Sequence, residues 1–267
     1  MYTEILAAAL AILCVYLSRS KRADTSLKFK GHHVIVIDGL IGAGKSTLVK
    51  NLATHYRRTI NPRTKTCYRV AEAQEPVSEW IRVGILARFY RDIKEAASTL
   101  CSTTYEFQTY TFVTRIKAVR DALQAVPDAD IFIVERSVLT DRYIFMKLQQ
   151  QIVGKERMMM YNEFFDLFAT IMPFDLLSAH FVYLRTDVTK CMSRLMKRGR
   201  EEEIAGVSFE YQKQLIDAHE ELFSRTKNKE SPLLTHVTTI NSNLANEDYS
   251  DINSDAFKSI LHHIESG

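Results

Sequence analysis

The sequence is poor in cysteine, and the few cysteines it has are widely spaced. Only four occur among 267 residues, with no Cys-x-x-Cys pair. This usage argues against a disulfide framework or a zinc ribbon and favours a reducing compartment. The eight histidines also lack the spacing of metal ligands, and the adjacent pairs His32-His33 and His262-His263 are interpreted as surface residues.

Proline, glycine and excess charge are scarce as well. Five prolines, nine glycines and no internal repeat are typical of a single helix-rich domain, not of a linker or a repeat array. The net charge is only +3, and the basic residues are dispersed along the chain. We therefore expect no nucleic-acid partner.

The first thirty residues differ from the rest and are interpreted as a leader, with one predicted domain at 31–267. An apolar run of thirteen residues, Ile5–Leu17, precedes three basic residues. As a helix it would be about 20 Å long, shorter than the ~30 Å hydrocarbon core of a bilayer. A short membrane anchor through residues 5–17, an organelle-targeting segment and a leader with no anchoring role all remain open. The expected compartment is the cytoplasm or the mitochondrion.

Five apolar, β-branched runs predict strands, and helical patterns separate them. The predicted strands are His33–Asp38, Thr66–Ala73, Ile131–Glu135, His180–Arg185 and His236–Asn241. Such alternation predicts an α/β fold with a parallel sheet covered on both faces. Ligands of these sheets bind at the carboxyl ends of the strands, so the informative residues should follow each strand.

The segment "VIVIDGLIGAGKSTLVKNLA" after the first strand predicts a phosphate-binding loop. Gly39, Gly44, Lys45 and Ser46 have the spacing of Gly, four residues, Gly-Lys-Ser, between a predicted strand and a predicted helix. Backbone N–H groups and the helix N-terminus would cradle a β-phosphate. We expect Lys45 to reach the β- and γ-phosphate oxygens and Ser46 to hold Mg²⁺.

Charged motifs follow the next three strands. They are "EPVSEW" after the second, "ERSVLTDRYIF" after the third and "CMSRLMKRGREEE" after the fourth. Phosphoryl transfer needs a base for the attacking hydroxyl, a carboxylate near Mg²⁺ and guanidinium groups around the phosphoryl oxygens. Each motif alone is weak, but their order at successive strand ends favours a phosphotransferase.

Together with "FQTYTFVTRI", these motifs resemble the deoxyribonucleoside kinase family, which includes deoxycytidine, deoxyguanosine and mitochondrial thymidine kinases and their viral relatives. The resemblance runs from His33 to the end of the chain. It implies a P-loop kinase fold with a five-stranded parallel sheet flanked by helices, an arginine-rich lid and a homodimer. It also implies transfer of the γ-phosphoryl group of ATP, with Mg²⁺, to the 5′-hydroxyl of a deoxynucleoside.

The resemblance assigns catalytic roles to individual residues. Glu75 would be the base for the 5′-hydroxyl, and Arg136 would steady that base and the phosphoryl oxygens. Glu135 would act with Ser46 on the Mg²⁺ side, and Lys45 would contact the donor phosphates. The implied ATP-binding residues are Gly39, Gly42, Gly44, Lys45, Ser46, Thr47, Arg194 and Arg198.

The nucleoside site is implied in the same way. Gln108 would read the edge of the base, because its amide both donates and accepts. Phe107 and Phe145 would stack on the base, since a flat ring favours aromatic faces. The other implied contacts are Trp80 as a wall, Thr111 near the base, and Tyr90 with Glu203 on the sugar 3′-hydroxyl. An insert before Gln108 leaves the register of Tyr90 open, and Glu202 remains an alternative to Glu203.

Two residues bear on the choice of base. Within the family, an arginine and an aspartate over the base accompany deoxycytidine and purine deoxynucleosides, and Arg115 and Asp141 fit those positions. Thymine's 5-methyl group would press into such a pair. We therefore expect thymidine to be the poorest substrate.

Four alternatives stay open to different degrees. A thymidine kinase of the same family differs only in the base accepted. A thymidylate-type monophosphate kinase shares the P-loop and a "DRY" element, but Glu75 would repel its phosphate acceptor. A GTP switch protein lacks support, because no Asn-Lys-x-Asp motif is present. A catalytically silent accessory subunit would use the same fold without turnover.

Overall fold

The computed structural model describes residues 31, 33–95, 102–227, 234, 236–242 and 251–266. The predicted leader, residues 1–30, lies outside this part of the chain, and so do residues 96–101 of the insert. Across the described ranges, no helix combines the length and the apolar character needed to cross a membrane.

Five parallel strands form one sheet, as the sequence predicts. They are β1 (His33–Gly39), β2 (Val70–Ala73), β3 (Ile131–Glu135), β4 (His180–Arg185) and β5 (His236–Asn241). Their order is β2-β3-β1-β4-β5, and every neighbouring pair is parallel. All of β3 and most of β1 are buried, as expected of strands covered on both faces.

The second strand is shorter than predicted. We expected Thr66–Ala73, but pairing within the sheet begins at Val70. The residues before it pair locally instead: the N–H of Tyr68 donates to the carbonyl of Thr59 at 3.1 Å, and an antiparallel bridge joins Ile60 to Cys67. A β-rich stretch was thus divided between a short local hairpin and the sheet.

Helices surround the sheet. In chain order they are α1 (Lys45–Tyr56), α2 (Val77–Arg82), α3 (Ile85–Glu95), α4 (Ser102–Ala125), α5 (Val138–Thr140), α6 (Lys147–Val153), α7 (Lys155–Thr170), α8 (Val188–Arg198), α9 (Glu201–Gly206), α10 (Phe209–Lys227) and α11 (Asp255–Ser266). A π-helical turn, Asp141–Met146, joins α5 to α6. The architecture is that of a P-loop kinase fold.

Sheet order fixes where the site forms. β1 lies in the middle of the sheet, with β3 and β2 on one side of it and β4 and β5 on the other. A crevice opens outside the carboxyl ends at such a switch point. The loop after β1, the Glu75 loop after β2 and the Arg136 turn after β3 all meet there.

Candidate active site

The loop between β1 and α1 packs closely against neighbouring backbone. Gly39 and Gly42 have φ angles of +145° and +85°, and a Cβ atom on either would lie within 2.7 Å of a carbonyl oxygen. Only glycine permits this path, which brings the loop to the N-terminus of α1 as phosphate binding requires. Gly42, Gly44 and Thr47 line the adjoining cavity. Gly39 does not; its carbonyl accepts a hydrogen bond from Arg136 at 2.8 Å.

Lys45, the first residue of α1, is buried at the base of this cavity. Its Nζ donates to the carbonyl of Leu40 at 2.8 Å. Burial, reinforced by the charge of Arg136, lowers the pKa of Lys45 to about 8, although Glu75 and Glu135 oppose the shift. A phosphate group beside this ammonium would stabilise its charged form.

Two oxygen-bearing side chains lie next to the loop. The hydroxyl of Ser46 donates to Glu135 Oε1 at 2.9 Å. Burial and then the negative charge of Glu75 raise the pKa of Glu135, so a cation at this position would be favourable. In the described part of the chain, no group of three or more His, Cys, Asp and Glu side chains could hold a metal by itself. A hydroxyl plus one carboxylate fits Mg²⁺, which usually keeps waters and phosphate oxygens as its other ligands.

Glu75, which follows β2, lies between two guanidinium groups. Its Oε1 accepts from Arg115 at 2.9 Å and lies 3.6 Å from Arg136 Nη1. Burial opposes the charge of Glu75, but Arg136, Arg115 and Lys45 outweigh it and lower its pKa to about 2. The carboxylate is therefore ionised at neutral pH and aligned at the edge of the cavity.

Arg115 of α4 makes the most extensive contacts in the site. It binds Asp141 through two hydrogen bonds of 2.8 and 3.0 Å and donates to the carbonyl of Glu135 at 3.1 Å. Burial disfavours its charge, yet Asp141 and Glu75 raise the pKa of Arg115 overall. The predicted Arg115–Asp141 pair is thus present, and it also ties down Glu75.

An apolar and aromatic compartment continues from these charges. The cavity has a volume of about 450 Å³. Phe107 stacks on Phe89 with ring centres 4.1 Å apart, and Trp80 meets Phe107 edge-to-face at 5.9 Å. Phe145 lies under the guanidinium of Arg136, 4.7 Å from its ring centre. The predicted stacking residues therefore line the cavity, although each already has a partner.

Gln108 is the polar group of this compartment. It is 1% exposed, and its Nε2 has no hydrogen-bond partner within the described structure. Thr111, one turn further along α4, donates to the carbonyl of Gln108 at 3.0 Å and also lines the cavity. A buried amide left unpaired beside a cavity indicates a position where a bound molecule completes the hydrogen bonding.

Arginines of α8 and the following turn close one side. Arg194 donates to the carbonyl of Ala43 in the phosphate loop at 2.9 Å. Arg198 forms an ion pair with Glu203, and Arg200 donates to the same carboxylate at 3.0 Å. Glu203 is buried and lines the cavity, whereas Glu202 does not.

Tyr90 and several residues that the motifs did not indicate also reach the cavity. Tyr90 lines it despite the insert that precedes Gln108. Sequence reasoning missed Gln74, Leu86, Phe89 and Tyr211, which line it as well. The only signal for Leu86 and Phe89 was the apolar face of α3. Gln74 stands directly before the "EPV" motif, and nothing in the sequence distinguished Tyr211 from other buried tyrosines.

The fold and these groups define a P-loop phosphotransferase with a separate, partly aromatic acceptor compartment. Residues 35–266 match the family model described as deoxynucleoside kinase. The chain belongs to the deoxynucleoside kinase family and is a deoxynucleoside kinase; its substrates are a nucleotide phosphate donor and a nucleoside.

Individual proteins similar to this chain carry the name deoxycytidine kinase. A probable deoxycytidine kinase of fowlpox virus is 31% identical over 212 residues, which covers 79% of each chain. Deoxycytidine kinase 2 of Gallus gallus is 28% identical over 253 residues, 86% of this chain and 90% of the relative. Deoxycytidine kinase of Bos taurus is 29% identical over 234 residues, 81% of this chain and 85% of the relative.

Proposed function

We propose that the protein transfers the γ-phosphoryl group of ATP to the 5′-hydroxyl of a deoxynucleoside, with deoxycytidine or a purine deoxynucleoside preferred over thymidine. The observation that carries this proposal is the position of Glu75. An ionised carboxylate stands between the phosphate loop and a compartment that contains an unpaired amide, Gln108. A neutral hydroxyl acceptor suits this carboxylate, whereas a phosphate acceptor would be repelled.

With Glu75 in this position, the bonds that form and break in the proposed transfer can be stated. The 5′-oxygen bonds to the γ-phosphorus, the bond from phosphorus to the β,γ-bridging oxygen breaks, and ADP leaves with the electron pair. Glu75 takes the hydroxyl proton. Although burial opposes the charge of Glu75, Arg136, Arg115 and Lys45 hold its pKa low, so the carboxylate is ionised and can accept the proton as the forming bond to phosphorus makes the hydroxyl acidic. Arg136, beside Glu75, stabilises negative charge on the phosphoryl oxygens.

Mg²⁺ would be held by Ser46 and Glu135, and when bound it neutralises charge on the phosphate oxygens. Lys45 binds the same oxygens from the loop. Arg194 and Arg198 complete the donor site as part of a lid. Their contacts to Ala43 and Glu203 would be exchanged for phosphate oxygens when ATP binds.

The acceptor compartment accounts for the remaining residues. Gln108 pairs with the base edge, Phe107 and Phe145 cover its faces, and Trp80 and Thr111 bound the compartment. Tyr90 and Glu203 bind the 3′-hydroxyl. A base that mismatches the Arg115–Asp141 pair should lose about 1–3 kcal/mol, a tenfold to hundredfold discrimination.

A substrate panel tests the proposal. Purified protein with ATP and Mg²⁺ is assayed on the four deoxynucleosides and on deoxycytidine and thymidine monophosphates, with Lys45→Ala as the inactive control. We expect phosphorylation of deoxycytidine, deoxyadenosine or deoxyguanosine, with thymidine poorest. Thymidine as best substrate would overturn the base preference, activity only on monophosphates would favour the thymidylate-type alternative, and no turnover would favour the silent subunit.

We also propose a homodimer. Val113 of α4 and Met159 and Leu167 of α7 are exposed apolar side chains, and the two helices pack together through Phe112 and Phe165. An apolar helical face of this kind is a candidate interface. Analytical ultracentrifugation should give twice the chain mass of 30.7 kDa. Val113→Glu with Leu167→Glu should give a monomer.

A further inference from the structure

Asp38, the penultimate residue of β1, is fully buried behind the phosphate loop. One carboxylate oxygen accepts from the N–H of Gly39 at 2.7 Å, and the other accepts from the hydroxyl of Thr140. Arg136 Nε lies 3.9 Å from the first oxygen. Burial opposes the charge of Asp38, yet His219 and Arg136 lower its pKa to about 2.

His219 of α10 lies on the other side of this carboxylate and is also fully buried. Its Nδ1 is 2.6 Å from the carbonyl of Leu215, and its Nε2 is 3.3 Å from Asp38 Oδ1. A carbonyl and a carboxylate are both hydrogen-bond acceptors, so each ring nitrogen of His219 faces an acceptor. The ring also stacks on Tyr183, with ring centres 5.7 Å apart.

The pair lies between two parts of the proposed active site. α10 follows α9, the helix that carries Glu203, and Gln212 of α10 donates to the carbonyl of Ile41 in the phosphate loop at 2.7 Å. Asp38 faces Arg136, whose own backbone has the uncommon φ of 62°. Arg136 donates to Gly39 on one side and faces Glu75 at 3.6 Å on the other.

We propose that His219 and Asp38 are positioning residues, which hold Arg136 and the phosphate loop in the geometry that phosphoryl transfer requires; this inference rests on the proposed function. Neither residue lines the cavity, so neither touches a substrate directly. A buried carboxylate with a polar partner is seldom the most stable filling of a core, because apolar side chains of similar volume often pack at least as well. Its location between α10, the loop and Arg136 indicates a role in alignment.

The test compares variants on α10. His219→Phe keeps a ring against Tyr183 but removes both ring nitrogens, and His219→Gln can keep one N–H donor toward Asp38. Phe223→Leu is the matched control, since Phe223 is a buried neighbour of the same ring without polar contacts to the network. We expect His219→Phe to lower kcat about tenfold or more with the nucleoside KM unchanged, because misplacement of a reacting group by about 1 Å is enough for such losses.

His219→Gln should recover part of that rate, and Phe223→Leu should lower the melting temperature without lowering kcat. If His219→Phe keeps the normal kcat, the proposal is wrong. Should that variant fail to fold, the double variant Asp38→Asn with His219→Gln, which leaves no charge unpaired, serves the same comparison with the same expected loss.

Two readouts do not depend on turnover. Nitrogen-15 spectra of histidine-labelled protein should show a proton on Nε2 of His219, shared with Asp38, and an Nε2 that carries no proton would refute this contact. Calorimetry should show weaker ATP binding in His219→Phe than in Phe223→Leu. A wild-type protein without kinase activity would refute the proposed function alone. The spectrum and the ATP titration would then decide whether the pair positions the loop.

Discussion

Breaking the Arg115–Asp141 pair offers the sharpest test of how the site is held together. Arg115→Met removes a guanidinium that is 4% exposed and donates to Asp141, Glu75 and the Glu135 carbonyl. Asp141, itself 2% exposed, is then left buried without its cation. Removal of one partner of a buried pair costs about 3–5 kcal/mol.

The double variant separates the cost of burying an unpaired charge from the cost of altered side-chain packing. Arg115→Met with Asp141→Ala leaves neither partner charge uncompensated, while Glu75 keeps Arg136 nearby. Its loss of unfolding free energy should be smaller than the sum of the single losses by about 1–3 kcal/mol. Urea unfolding followed by circular dichroism gives the free energy of unfolding of the wild type, the two single variants and the double variant.

An exposed pair on the same helix supplies the control. Lys117 and Asp121 form an ion pair with about half of each side chain exposed, so its coupling should be only about 0–1 kcal/mol. The buried double variant should also raise kcat/KM for thymidine relative to deoxycytidine. A coupling no larger than that of the control pair would refute the claim that Arg115 and Asp141 depend on each other.

Four further predictions concern charge and chain length. Glu75→Gln should leave ATP binding nearly intact, measured by calorimetry, and reduce kcat about a hundredfold; a normal rate would show that another group is the base. Because the folded-state pKa of Glu75 is about 2 and its ordinary value is 4.5, its contribution to stability is present above pH 4.5 and lost as pH falls toward 2; acid unfolding of wild type and Glu75→Gln should converge there. Lys45, with a pKa of about 8, should take up protons when ATP binds near pH 8.5, seen as a buffer-dependent binding enthalpy that Lys45→Ala abolishes. A chain that begins at Lys28 should be soluble and fully active, and carbonate extraction of the full-length protein would tell an anchor from a peripheral leader.

Local pattern was sufficient to predict the sheet and the meeting of the phosphate loop, Glu75 and Arg136. Buried strands appear in a sequence as short apolar runs, and the loops that follow parallel strands meet at one edge of the sheet. The second strand was drawn too long, because residues near Cys67 could pair either with the sheet or with Thr59–Asn61. Propensity does not distinguish those two partners.

Contacts between distant segments were not predictable in this way. Asp38 and His219 are 181 positions apart, and neither position carried a signal beyond a charge after an apolar run and a histidine inside a helix. Their pairing depends on how α10 docks on the sheet. The ion pairs between arginines and Glu203 were likewise not predicted, because the family resemblance assigned that carboxylate to a sugar hydroxyl.

The long helix α4 holds two cavity-lining residues at a fixed distance from each other. Gln108, which we propose reads the base, and Arg115, which lies beside the proposed catalytic carboxylate, both line the cavity and are seven residues apart on this helix, a span of about 10 Å along the axis. No glycine or proline interrupts that stretch, so under the proposed function the regular rise of the helix sets the distance between the residue that reads the base and the residue beside the reacting oxygen. An acceptor whose 5′-oxygen lies too far from its base would be rejected for its length, even if its base fits. A variant that accepts a larger or smaller nucleoside would therefore need changes in the cavity walls that face α4. A single residue inserted into this helix should destroy activity while leaving the sheet intact.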